Sequence, residues 1–463
     1  MFDFFVDENF EEEKKKKQEW MTLVHVCRRW RIIAFQSPRR LNLRLVYTPL
    51  TPPRNTLDIW PPLPLIIYDV AKVYEEHVDY TIAALEHNDR VCQIRLIGYS
   101  PSQISCVAKS AAMQKPFPEL THLELEMSSR PNWPDNGPTI VPDSFLGGTT
   151  PRLQSLELFN ISFPGLPKLV LSATRLVKLD ISYIRRSGYI PPEAMTTILS
   201  TLTTLEYFRI IFVYPPSASE SRFPPLCTRS TLPVLATMQF KGTSGYLEEI
   251  LARIDAPRLN KMFINLDDQS IFDTPQLFQF ISRIPTLRAP KKGHIVFTLG
   301  RIIVKFPSLT SALRGLCVTI SCSESSDYPH LSSLEQVCTS SLPPIPTLED
   351  LYILEDPLLG DVGYLVSLQL LRPFTTVKNL YLCNKSVLRI ALALKELDGA
   401  RMTEVLPTLE NIFLEGLQPS RPFHEGLETF VAARRLTSHP VAVSRWDNND
   451  SEYKKSFWYV YDL

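Results

Sequence analysis

No stretch of this sequence approaches the ~18 consecutive apolar residues of a membrane-spanning helix. The first residues, MFDFFVDENFEEEKKKK, are acidic where a secretory signal would place positive charge before an apolar core. A soluble, intracellular protein, cytoplasmic or nuclear, is expected. Net charge is missing as well: Lys plus Arg and Asp plus Glu both number 49, so no overall field draws the molecule to nucleic acid or to an anionic membrane. Histidine is scarce. The eight cysteines (Cys27, Cys92, Cys106, Cys227, Cys317, Cys322, Cys338, Cys383) show no C-x-x-C and no Cys/His spacing suited to zinc. No metal or other cofactor is expected, and the thiols are expected reduced and buried as small apolar groups. Neither a phosphate-binding G-x-x-x-x-G-K-[ST], nor G-x-S-x-G, nor H-E-x-x-H, nor a Gly-rich dinucleotide turn occurs. Asp267-Asp268 and the Cys317/Cys322 pair have no partner at useful spacing and read as loop and core. The chain is therefore read as non-enzymatic.

What is present in abundance is a phrase. Phe117 to Met127, FPELTHLELEM, sets Leu120, Leu123 and Leu125 in an L-x-x-L-x-L pattern. In an extended strand Leu123 and Leu125 share one face while His122, Glu124 and Glu126 take the other, and Leu120 turns in from the preceding loop. The phrase returns with its first anchor at Val91, Leu120, Leu153, Leu176, Leu205, Leu235 and Leu259, then at Leu348, Val377 and Leu409, with a blurred region that holds Leu313. Successive anchors in the first group lie 23 to 33 residues apart, enough for one strand, one helix and two loops. That is the signature of leucine-rich repeats. Pro118, Pro151, Pro233, Pro257, Pro346 and Pro407 stand just before anchors, where proline ends a helix without costing a ladder hydrogen bond.

The fold class expected is α/β, a leucine-rich-repeat solenoid with a curved parallel sheet and outer helices, preceded by a small helical segment. Residues 1–45 form that segment, 46–90 a linker and N-terminal cap, 91–436 the solenoid and 437–463 a C-terminal capping tail in which Phe457, Trp458, Tyr459 and Tyr461 seal the last repeat. Within the first segment Trp20, Leu23, Val24, Cys27, Trp30 and Ala34 fall on one face of an amphipathic helix over 20–35 that Ser37-Pro38 ends. A second helical pattern over 68–90 uses Val73, Val78, Ile82 and Leu85. Further helices are expected at 193–202, 246–254, 276–284, 331–338, 386–397 and 424–436. HIVFTL and RIIVKF, only a few residues apart, read as a hairpin or as compressed repeats within the blurred stretch from Leu287 to Cys322.

Several longer phrases are more specific than any single repeat. VCRRWR, SPRRLNLRL and LDIWPPLPLIIYD in the first seventy residues, SSLEQVCTSSLPPIPTLEDLYI, RPFTTVKNLYL, EVLPTLENIFLEGLQPS and FVAARRLTSHPVAVSRWD thereafter, resemble the F-box and leucine-rich-repeat proteins of mushroom-forming fungi. The resemblance implies the substrate receptor of a ubiquitin ligase, in which F-box helices dock the Skp-type adaptor of a cullin-RING ligase and the repeats hold a protein target. It implies adaptor contacts or inner packing at Leu23, Val26, Cys27, Trp30 and Ala34. The family's F-box opens with a Leu-Pro-x-Glu turn and a helix ending in Ile-Phe, whereas this sequence starts at Met1-Phe2-Asp3-Phe4-Phe5, where that helix would be finishing. An alternative is therefore a leucine-rich-repeat interaction scaffold that no longer docks the adaptor.

Register points to the target site. If the strands line one sheet, the residue four places after each anchor forms a column on its exposed face: Arg95, Glu124, Glu157, Asp180, Arg209, Gln239, Phe263, then Tyr352, Tyr381 and Phe413. With Glu126 beside Glu124, the early part reads as acidic and suited to a basic segment. The late part is aromatic, a residue type that anchors protein interfaces.

Overall fold

The computed structural model describes residues 26–36, 44–50, 52–57, 62–71, 78–128, 140–213, 229–266, 274–298, 301–308, 311–321, 338, 345–356, 368–397, 401, 403–416 and 424–446. They fall into two compact units, Met1–Tyr214 and Pro215–Leu463. The first unit has α1 (Arg28–Gln36) as its first described helix, and Ser37-Pro38, expected to end it, lies outside the described residues. Its strands then pair in parallel and in chain order: β1 (Leu45–Tyr47), β2 (Leu65–Val70), β3 (Val91–Tyr99), β4 (His122–Met127), β5 (Ser155–Phe159), β6 (Lys178–Ile184) and β7 (Tyr207–Phe212). The alternation read in FPELTHLELEM is the one observed. Leu123, Leu125 and Met127 are buried while His122, Glu124 and Glu126 are half-buried, and the anchors Leu120, Leu153, Leu176 and Leu205 are fully buried.

Helices form the crossovers. After the single turn α2 (Arg54–Leu57) come α3 (Val78–Leu85), α4 (Pro101–Lys109), α5 (Leu166–Ser172) and α6 (Pro192–Thr201). Here proline has a second use that its position before anchors did not reveal: Pro101 and Pro192 open α4 and α6, where a missing N–H costs nothing. Ser100 and Gln103 add a reciprocal cap, the Gln103 N–H donating to Ser100 Oγ at 3.2 Å and the Ser100 N–H to Gln103 Oε1 at 2.8 Å.

Residues 46–90, expected as linker and cap, contribute β2 and most of β1 to the sheet. Tyr68, placed in a helical pattern, lies in a strand. The physical reason is the run Leu65-Ile66-Ile67-Tyr68, buried on both faces and β-branched at its centre, which suits a covered parallel strand better than a helix stripe. Val73 lies outside the described residues.

The second unit departs further from a simple succession of repeats. A short parallel pair joins β8 (Ser230–Thr231) to β10 (Ile254–Asp255), and the main sheet runs from β9 (Thr237–Gly242) to β11 (Lys261–Leu266). Beside β11 lies β14 (Ser311–Ser321), then β13 (Arg301–Ser308), then β12 (Lys292–Thr298), and only then β15 (Asp350–Glu355). HIVFTL and RIIVKF are thus a hairpin and not compressed repeats. A link of two residues permits only antiparallel pairing, since a parallel neighbour needs a crossover of a dozen residues or more. The sheet becomes parallel again through β15, β16 (Asn379–Leu382), β17 (Asn411–Glu415) and β18 (Ala442–Trp446). The described start of the expected C-terminal tail is therefore a paired strand; Phe457, Trp458, Tyr459 and Tyr461 lie outside the described residues.

Helices α7 (Ser244–Leu251), α8 (Pro275–Arg283), α10 (Asn384–Lys395) and α11 (Glu425–Leu436), with the single turn α9 (Leu368–Leu371), fall within three residues of their expected bounds where one was expected. The helix expected at 331–338 lies outside the described residues except for Cys338. Of the free thiols, Cys92, Cys317, Cys338 and Cys383 are buried, but Cys27 and Cys106 are exposed, against expectation: Cys27 stands just before α1 and Cys106 on the outer side of α4.

Consecutive turns are tied by a device that Leu spacing did not reveal. Thr204 donates its hydroxyl to the carbonyl of Leu176 at 2.8 Å, Thr376 to Leu348 at 2.9 Å and Thr408 to Val377 at 3.0 Å. Each threonine directly precedes an anchor, and each acceptor is the preceding anchor. Glu248 does similar work between helices: fully buried, it accepts the Gln276 N–H at 2.7 Å and the Leu277 N–H at 2.8 Å, capping α8. Thr376→Val, which keeps the shape and loses the bond, is expected to cost about 1 kcal/mol in denaturant unfolding. Thr376→Ser should stay near the parent, and equal losses in both variants would assign the effect to packing.

Candidate functional site

In the first unit the column read from the repeats is real in register. Tyr68, Arg95, Glu124, Glu157, Asp180 and Arg209 stand opposite one another on β2 to β7. It is not an acidic strip, however. Arg95 Nε meets Glu124 Oε2 at 2.5 Å, Lys178 Nζ meets Glu157 Oε2 at 2.7 Å, and Arg209 Nη1 meets Asp180 Oδ2 at 3.6 Å. The Ser182 hydroxyl also donates to Asp180. Neighbouring strands bring side chains about 4.8 Å apart, so carboxylates facing cations across a ladder find their partners inside the protein. The expectation of a site for a basic segment is thereby weakened. Burial pushes the Asp180 carboxyl up, against the pull of Ser182 and Arg209, and burial followed by Glu124 pushes Glu126 up.

The second unit's column runs Gln239, Phe263, Cys317, Lys305, His294, Tyr352, Tyr381, Phe413, Ser444. The sequence reading set Tyr352 directly after Phe263. Three rungs intervene, because β14, β13 and β12 occupy the sheet between β11 and β15. From His294 onward the rings form a continuous stack: His294 to Tyr352 at 4.6 Å, Tyr352 to Tyr381 at 4.2 Å and Tyr381 to Phe413 at 4.6 Å, the last two pairs within 9° of parallel. Trp446 packs edge-on against Tyr352 at 5.8 Å and Tyr381 at 5.6 Å. Phe263 stays outside this stack, with the Lys261 ammonium 4.9 Å from its ring centre. On the same side Val296, Ile303, Cys317, Leu354 and Cys383 form a buried cluster against which Phe263, Tyr352 and Trp446 pack.

His294, Lys305 and Trp446 were missed as members of this face. Nothing in the sequence announced the strand order that brings them into line. Burial, then Lys305 and Lys292, drive the His294 imidazole down to about 3, while burial lowers the Lys305 ammonium and raises the Cys317 thiol.

Of the residues expected to contact an adaptor, Leu23 lies outside the described residues. Val26 is 62% exposed, Cys27 is exposed, Trp30 is half-buried, and Ala34 lies within α1. Ile32 and Ile33, each 45% exposed, were not anticipated. They fall off the spacing that picked out Cys27 and Trp30, yet they are the apolar side chains this helix presents. Among the described residues no helix is long and apolar enough to cross a membrane, and no group of His, Cys, Asp and Glu is arranged to hold a metal ion.

The depressed His294 value gives a pH dependence of definite sign. The unfolded chain takes up a proton near the ordinary value of 6.5 and the folded chain only near 3, so this residue's contribution is complete above about 6.5 and is lost as pH falls between the two values. His294→Phe keeps a ring in the stack and removes the proton site. Its unfolding free energy should fall less than the parent's between pH 6.5 and pH 4, as urea titrations at a series of pH values would measure; identical slopes would refute the assignment. No protein-family model matches this chain, and no curated protein matches it either.

Proposed function

We propose that this chain is a non-enzymatic protein-binding receptor, the substrate-recognition subunit of a Skp-cullin-F-box ubiquitin ligase. In this reading it is a leucine-rich-repeat solenoid whose ladder face binds the target, while α1 belongs to an F-box-like segment that docks the Skp-type adaptor. The observation that carries the reading is the exposure of Ile32 and Ile33 beside Arg28, Arg29 and Arg31 on one short helix, with Val26 exposed just before it. Apolar side chains kept at 45% exposure or more on such a helix suit a surface covered by a partner. Support for target binding comes from the half-buried rings of Tyr352, Tyr381 and Trp446, residue types enriched at interface centres.

The half-burial of Trp30 favours a second reading, a leucine-rich-repeat interaction scaffold that no longer docks the adaptor. Trp30 would then pack inward only. Titration of purified Skp adaptor against the full chain separates the two. Under the receptor reading, Ile33→Asp, at an exposed position, weakens binding about tenfold or more with the melting temperature unchanged, and Trp30→Asp abolishes capture. Equal binding by the parent and Ile33→Asp would remove α1 from the interface, and no binding by the parent would leave the scaffold.

A further inference from the structure

Two ladders in the second unit end one rung short. Two places before the aromatic column, Asp350, Asn379 and Asn411 stand opposite one another on β15, β16 and β17. Asn379 Nδ2 donates to Asp350 Oδ1 at 2.7 Å, and Asn411 Nδ2 donates to Asn379 Oδ1 at 2.8 Å. A carboxylate at neutral pH accepts and does not donate, so Asp350 sets the direction of the whole chain. Each amide turns its N–H groups toward β15 and its carbonyl toward β18. Hydrogen bonds in series polarise one another, which makes the outward Asn411 Oδ1 a strengthened acceptor. The next residue in register is Ala442, exposed and without a polar group.

The aromatic stack ends in the same way. Phe413 lies parallel to Tyr381 on its inner face, and the residue opposite it on β18 is Ser444, exposed and too short to cover the outer face. Trp446 leans over Tyr352 and Tyr381 instead. Alternation puts Asn411, Phe413 and Glu415 on one face of β17, and it sends Arg445 of β18 to the opposite face. An acceptor and an aromatic plane therefore border an open rung over Ala442 and Ser444; beside them Glu415 stands opposite Trp446, and its Oε2 accepts the Asn384 N–H at 3.4 Å.

We propose that this rung, over Ala442 and Ser444, binds an arginine side chain of a protein partner. The proposal rests on the reading of the ladder face as target-binding and names the chemistry it selects. A guanidinium is planar and stacks on a ring, and its N–H groups radiate in its own plane. Residues two apart on a strand stand about 7 Å from each other, so Asn411 flanks Phe413 toward one edge of a stacked guanidinium, while Glu415, on the other side and across from Trp446, adds negative charge nearby. Lysine offers charge without a plane. An aromatic residue would continue the stack and give the amide ladder nothing, while an asparagine would continue the ladder and leave the ring bare.

The test is to pan a random octapeptide phage library against the full chain and to synthesise an enriched peptide. The expected result is arginine at one fixed position, with replacement by lysine or citrulline weakening binding roughly 2- to 30-fold. Ser444→Phe places a ring in the open rung at an exposed position. It should erase the arginine preference while the melting temperature is unchanged or raised, which excludes loss of fold as the cause. Enriched peptides without arginine, or peptides indifferent to Ser444→Phe, would overturn the arginine site and leave a peptide-binding face. A library that yields no binder would overturn the site and the target-binding reading together.

Discussion

Everything here depends on parallel strands being held in register at about 4.8 Å. With that spacing fixed, whatever residue type occupies one position of the repeat is set against its counterpart in the next. Buried leucines become a continuous apolar layer, threonines before the anchors reach back to the previous carbonyl, and side chains on the other face form columns. The columns are consequences of register, and their character depends on the side chains that register supplies. Charged residues set opposite each other become ion pairs, amides become a directed hydrogen-bond chain, and aromatic residues become a stack.

The two faces of the sheets differ in what they leave over. In the first unit the column residues Arg95, Glu124, Glu157, Asp180 and Arg209 are largely consumed by one another and by Lys178, and partial burial adds a cost to holding unpaired charge there. In the second unit the stack has faces that only another planar group can cover, so its last ring keeps an unused surface. A ladder of like groups is satisfied within and unsatisfied at its end. That contrast is why β18, the last strand among the described residues, which bears small residues at Ala442 and Ser444, is the more informative place to look for a partner.

Much of the architecture was legible in the sequence. Period-two alternation gave β4 directly, and the L-x-x-L-x-L anchors from Leu120 to Leu259 and at Leu348, Val377 and Leu409 fell on buried positions because the pattern is local. Less legible was the stretch from Leu287 to Cys322. There β12 lies not beside β11 but with two strands, β14 and β13, between them, and no local signal encodes which neighbour a hairpin selects. The same limit hid His294 and Lys305 from the column. Tyr68 was placed in a helical pattern for a related reason: the apolar run it closes, Leu65 to Tyr68, is buried on both faces and has no periodicity with which to tell strand from helix.

By itself, the sequence determined which side chains alternate to which face and the absence of recognisable catalytic phrases. Tertiary structure alone decided other meetings across strands: that Lys178 pairs with Glu157, that Asp350 orients two asparagines, and that His294 joins Tyr352. The physical reason is that alternation is a property of one strand's own backbone. Pairing partners are instead chosen by crossovers and hairpins that bring together residues up to some sixty positions apart, as with His294 and Tyr352.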